Sequence, residues 1–176
     1  INNAKSAGAG VIFAPVSTNY AQLIIEAAGA QGFEGHLLGS DTWDNNMVIE
    51  SAKGKSVNVE ITTFYQEGGA PEFDAGIKEW MNANADALTN NGGNDMVSAV
   101  TVMGYDAYFV ALQALELAGS TDPAAVNEAL WNVDYTGVSG EITFNEIGDA
   151  NRDSAYIKTA NTTDNVWEFV TVQTVE

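Results

Sequence analysis

The sequence predicts an α/β fold, and two observations carry that prediction. A short unbroken apolar run, Val11–Ala14, is followed by a helical pattern and then by a second short apolar run at His36–Gly39, which is the pattern of a β-α-β unit. Farther along, helical and strand-like patterns keep recurring instead of segregating into one class. In a parallel unit the loops that follow both strands leave at the same carboxyl edge of the sheet, where open α/β folds place their ligands.

Each element has a local reason. Val11–Ala14 lacks polar alternation, so it is expected as a parallel strand buried on both faces. Asn19, with Gln22 three residues later, matches a capping box, and Leu23, Ile24, Ala27 and Ala28 give one apolar helical face. Gly32 stands where a left-handed C-terminal cap is wanted. Asn46–Ala52 reads as a short helix broken at Gly54. Val57, Val59, Ile61 and Thr63 alternate with Asn58, Glu60 and Thr62, predicting a strand up to Tyr65.

Pro71 suits the first turn of a helix whose apolar face is Phe73, Ile77, Trp80 and Met81. Asn90–Asp95 reads as an exposed turn. A long, mostly apolar helix is expected from Ser98 to Leu117, ending at Gly119 and buried on several sides. Asp122-Pro123 is an N-cap followed by a first-turn proline, opening a helix through Trp131. The remainder reads as strands at Glu141–Phe144, Ala155–Ala160 and Val166–Val175, with turns at Gly148-Asp149 and Asn161–Asn165. This order fits a chain that crosses between two lobes, with Thr63–Gln66 and Arg152–Ala155 as candidate crossings.

Composition narrows the function. The 24 acidic residues against 6 basic give a net charge of −18, which repels phosphate backbones and anionic lipid and argues against nucleic-acid or membrane-surface partners. A hydrophobic content of 45% excludes disorder over most of the chain. No apolar run approaches the ~18 residues that span a bilayer. The absence of cysteine excludes disulfides and thiolate chemistry. Ile1–Gly10 reads as the tail of a helix already under way, so a piece of a longer chain is expected.

Asp41 is the first candidate site residue. Between Gly39 and Trp43 at a strand's carboxyl end, its carboxylate suits a ligand ammonium, the alternative being a solvated loop aspartate. Trp43 either walls a pocket or packs beneath its own loop. The oxygen-rich set Asp41, Asp44, Asn45 and Asn46 lacks the spacing, turn glycine and closing glutamate of a calcium loop. Gly8-Ala9-Gly10 precedes a strand instead of linking strand to helix, so it is no dinucleotide fingerprint. No catalytic motif appears, and His36, the one histidine, starts an apolar strand. Neither an enzyme, a cofactor nor a metal is expected.

The combination of VIFAPVSTNYAQLIIEAAGAQG, LLGSDTWDN, GYDAYFVALQALELAGSTDPAAVNEAL and YTGVSGEITFNEIGD resembles the periplasmic branched-chain amino-acid binding proteins of ABC importers, over nearly the whole chain. The resemblance implies part of a type I periplasmic-binding-protein clamp, two-lobed and Rossmann-like, with ligand between the lobes. It assigns residues 1–63 and 154–176 to the second lobe and 64–153 to the first, this chain being the C-terminal half of the receptor. It implies an extracytoplasmic location, an amino-acid ligand, permease subunits as partners, and contact with the membrane only through a lipid anchor or that permease.

Residue by residue, the resemblance puts Asp41 on the ligand's α-ammonium. Val16 and Ser17 match a position where leucine-binding members place an aromatic, neither being aromatic here. Trp43 would then supply the apolar wall from the next loop, its neighbour Thr42 is a further ligand-binding candidate, and Val100 falls near another contact. A ligand-sensing ectodomain of the same fold is the alternative function. Because the implied clamp is halved, uncovered apolar helix faces around Phe73, Trp80 and the Val100–Leu117 helix, and self-association, are also expected.

Overall fold

In the computed structural model, which describes residues 1–174, the β-α-β unit forms as strand β1 (Val11–Phe13), helix α2 (Thr18–Ala30) and strand β2 (His36–Gly39), preceded by a short helix α1 (Asn2–Ser6). Helix α3 (Asn46–Ala52) and strand β3 (Asn58–Thr63) follow, then helices α4 (Pro71–Ala83), α5 (Ala85–Asn90), α6 (Ala99–Ala118) and α7 (Pro123–Ala129). Strands β4 (Tyr135–Gly137) and β5 (Gly140–Ile142) form a hairpin, and β6 (Ser154–Asn161) and β7 (Val166–Thr174) end the fold. Val175, the expected end of the last strand, lies outside the described residues.

A 5-stranded sheet runs in the order β1-β2-β3-β6-β7. Strands β1 to β3 are parallel, while β6 pairs antiparallel with β3 and β7 with β6. The alternation expected along β3 is realised, with Val59, Ile61 and Thr63 buried on one face. That face packs with Leu37 against Ile25 and Ala28 of α2 and Val48 and Ile49 of α3. Met81 of α4 and Val102 of α6 pack around Tyr65 and Val97, and a further cluster joins Val110 and Ala114 of α6 to Val133 and Ile142.

Three expectations are corrected. Strand β1 is not buried on both faces: it is an edge strand with Val11 53% and Phe13 60% exposed, because no layer among the described residues covers their side of the sheet. The capping box at Asn19 does not form. Helix α2 starts earlier with Ser17 as N-cap, and the Thr18 hydroxyl donates instead to the carbonyl of Thr42. Helix α6 buries a single stripe, Ala99, Val102, Asp106, Val110 and Ala114, and leaves Val100, Tyr108, Leu112 and Leu115 exposed. Trp80 is exposed at the rim of a shallow groove, in line with the uncovered helix faces expected of a halved clamp. Helix α5 and strand β4 were not anticipated.

Buried carboxylates organise the segment between β3 and β6. Asp106 accepts the amides of Val138 at 2.8 Å and Ser139 at 2.7 Å, holding the β4–β5 turn to α6. Gly137 has no room for a Cβ because this carboxylate lies against it. Asp74 accepts from the Tyr65 hydroxyl at 2.7 Å and the Gly68 amide at 2.6 Å. Burial, then donation to Asp74, pushes the Tyr65 phenol well above its ordinary pKa.

Candidate functional site

The loops after β1 and β2 meet at the carboxyl edge of the sheet, as parallel pairing of Val11 with His36 through Phe13 with Leu38 requires. Side chains from the second loop tie them together. The Val16 carbonyl accepts both the Thr42 hydroxyl at 2.8 Å and the Trp43 indole at 2.9 Å. In return the Thr18 hydroxyl donates to the Thr42 carbonyl at 2.9 Å and accepts from the Asn45 amide at 3.1 Å. The second loop folds as a 3₁₀ turn over Asp41–Trp43, and Asn45 caps α3 by accepting the Val48 amide.

Trp43 is fully buried and belongs to the core that contains Ile25 and Ile61. Its ring packs over Gly39, where any Cβ would overlap it. Of the two readings left open by the sequence, packing beneath its own loop is the one the structure realises. The indole N–H is held by the Val16 carbonyl and the rest of the ring is enclosed.

The four oxygen-bearing residues of this loop have divided tasks. Asn45 is a helix cap and Asn46 is buried in α3. Asp44 is 1% exposed and accepts from the Thr63 hydroxyl at 3.0 Å, the Ala99 amide at 3.0 Å and the Lys158 ammonium at 3.1 Å. A buried pair of this kind costs about 3–5 kcal/mol when one partner is removed. Local spacing does not reveal this task of Asp44, since its partners stand up to 114 residues away. Asp41 differs. Half-buried at the start of the turn, it makes no side-chain hydrogen bond or ion pair among the described residues.

A cleft of about 360 Å³ opens beside these loops, lined by Thr18, Thr42, Asn45, Met47, Ser98 and Val100 among others. Thr42 and Val100, expected near a ligand from distant parts of the sequence, are thus brought together. Asp41, Val16, Ser17 and Trp43 do not line this cleft. Ser17 is exposed as the N-cap of α2. A larger recess of about 580 Å³ lies elsewhere, among Phe64, Ser139, Arg152 and Tyr156.

Parallel strands with their carboxyl-end loops joined make this the edge at which open α/β folds place ligands. The particular family follows from comparison. A family model described as periplasmic binding protein matches residues 1–164, and the chain belongs to that family. A leucine binding protein, LivK, from Thermotoga maritima is 26% identical over 98% of this chain and 47% of its own, with a TM-score of 0.74. The branched-chain amino acid transporter substrate binding protein LivJ from Streptococcus pneumoniae, solved with isoleucine, is 18% identical over 94% of this chain and 44% of its own, with a TM-score of 0.63.

A solute binding protein from R. palustris, solved with benzoate, is 14% identical over 97% of this chain and 45% of its own, with a TM-score of 0.70. At the lower two identities the likeness is one of fold. No curated protein sequence matches the chain. The chain therefore has a type I periplasmic-binding-protein architecture and spans less than half the length of these solved structures.

Proposed function

We propose that this chain is part of an extracytoplasmic solute-binding protein of an ABC importer, and that it binds an amino acid, of which a branched-chain one is the first candidate. Residues 1–63 and 154–176 form one lobe in this reading and 64–153 belong to the other, with the ligand between them. The observation that carries the proposal is Asp41. Its carboxylate is unengaged at the sheet's carboxyl edge while neighbouring Thr42, Trp43, Asp44 and Asn45 are all fixed by hydrogen bonds. An ammonium drawn into a closing cleft would supply the missing partner, and exclusion of water strengthens such a pair.

The leucine- and isoleucine-binding relatives support an amino-acid ligand, whereas the benzoate-bound one carries the same fold with a ligand that has no ammonium. Calorimetry on the full-length gene product with leucine, isoleucine, valine and benzoate tests the reading. Amino acids should bind and benzoate should not. Asp41→Ala should weaken amino-acid binding by about 2–5 kcal/mol, because it leaves a buried ammonium unpaired. Unchanged affinity in that variant refutes the assignment of Asp41.

A further inference from the structure

Asp44 joins parts of the chain that the two-lobe reading assigns to different lobes. It sits in the loop that carries Asp41, yet one of its oxygens accepts the Ala99 amide at 3.0 Å, the first residue of α6. The same oxygen accepts the Thr63 hydroxyl at 3.0 Å, and Thr63 is the last residue of β3 before the chain leaves the sheet. Lys158 on β6, the strand by which the chain has returned, neutralises the carboxylate at 3.1 Å and is itself 3% exposed. Thr63 pairs with Tyr156 across the β3–β6 ladder, so the outgoing and returning segments run side by side here. Arg152 over the Phe64 ring, 5.9 Å to its centroid, continues that adjacency.

We propose that Asp44 is a positioning residue that, by docking the Ala99 N–H, favours one angle between the two lobes and, with it, the placement of the Asp41 turn. The inference rests on the two-lobe reading above. A hydrogen bond between exposed groups exchanges readily with water, but all four groups here are buried. Their alternative to one another is therefore an unsatisfied donor or charge. Rotation of α6 away from the loop breaks the Ala99 contact first, while the Lys158 and Thr63 contacts stay within the sheet lobe. The pair Asp44–Lys158 thus acts as a fixed post on the sheet, and the Ala99 N–H is the group that docks on it.

Ala99→Pro deletes the docking N–H and leaves the Asp44–Lys158 pair intact. Proline is tolerated at the first position of a helix, and Ser98 has φ −84 and ψ 162, the extended backbone that a following proline requires. The chain has no cysteine, so Gln31→Cys and Glu79→Cys can carry a pair of spin labels on exposed sites of the two lobes. In the labelled chain the interlabel distance distribution is expected to broaden and shift on Ala99→Pro and on Asp44→Asn, and to stay unchanged on the control Glu50→Gln.

Hydrogen exchange on the unmodified chain gives a second reading. First-turn helix amides are ordinarily unprotected, yet the Ala99 amide should be protected, and Asp44→Asn should speed its exchange about ten- to a hundred-fold. Folded variants with an unaltered distance distribution overturn the proposal. So does a freely exchanging Ala99 amide in the unmodified chain, whether or not the variants fold. Neither readout involves an amino acid, so failure here is separable from failure of the ligand assignment.

Discussion

The indole nitrogen of Trp43 donates to the carbonyl oxygen of Val16 across 2.9 Å, joining the two loops at the carboxyl edge of the sheet. With the Thr42 hydroxyl on the same oxygen, the second loop is held to the first from two directions. The consequence is a rigid support for Asp41, whose backbone starts the turn that these bonds pin.

That support depends on a close fit. Gly39→Ala places a methyl group inside the space of the Trp43 ring, and overpacking of this kind costs about 1–3 kcal/mol. Trp43→Ala instead leaves a cavity and should cost about 3–5 kcal/mol. Urea unfolding followed by circular dichroism checks both. A Gly39→Ala midpoint equal to that of the parent chain contradicts the packing described here.

Tyr65 gives an alkaline signature. Its phenol is buried and donates to Asp74, so its pKa in the fold lies above the ordinary 10.0. Below that ordinary value both folded and unfolded chains hold the proton and the contribution to stability is complete. Above it the unfolded chain releases the proton while the folded chain keeps it, so stability falls as pH rises, by about 1.4 kcal/mol per pH unit for one group. Tyr65→Phe should remove that component of the slope. Equal alkaline slopes in the two proteins, measured by urea titration between pH 9 and 12, count against it.

Much of this fold was legible because it rests on local chemistry. Pro71 and Pro123 open helices, Asp122 caps α7 through the Ala124 and Ala125 amides, and Gly119 takes φ 58 at the end of α6. Burial was less legible, since Val11, Phe13 and Tyr108 are as apolar as core residues and only the missing neighbours distinguish them. At the candidate site, the loop and Asp41 could be singled out as candidates from their position after a strand. The tasks of Asp44, Trp43 and Lys158 could not, because each is set by partners distant in sequence. A short strand such as Tyr135–Gly137 left no periodicity to detect, and its place is fixed by Asp106 through the adjoining turn.

The 176-residue chain by itself should bind amino acids weakly. Asp41 is partly exposed, and an exposed charge pair contributes only about 0–1 kcal/mol, far below the ~8 kcal/mol of micromolar affinity. Since the matched relative LivK is covered over 47% of its length, the groups opposite Asp41 are expected from outside these residues. Calorimetry on the isolated chain with leucine checks this. Micromolar binding there contradicts it and would place a complete site within these residues.

The last prediction concerns association of the isolated chain. From Ala99 to Leu115 the single charged side chain is Asp106, which is buried, so α6 exposes an uncharged face that includes Val100, Tyr108, Leu112 and Leu115. Strand β1 adds Val11 and Phe13 at an open sheet edge. Apolar surface of this kind favours contact between copies, while a net charge of −18 on each copy opposes it. The two terms respond differently to salt. Screening shortens the reach of the repulsion to about 10 Å at 0.1 M ionic strength and leaves the apolar contact in place. Light scattering should therefore give a mass above 18.6 kDa that rises with protein concentration and rises further with added salt. Tyr108→Glu with Leu112→Glu should return the chain toward monomer without loss of helicity, since both side chains already face water. A monodisperse 18.6 kDa species at every concentration and salt level refutes the prediction.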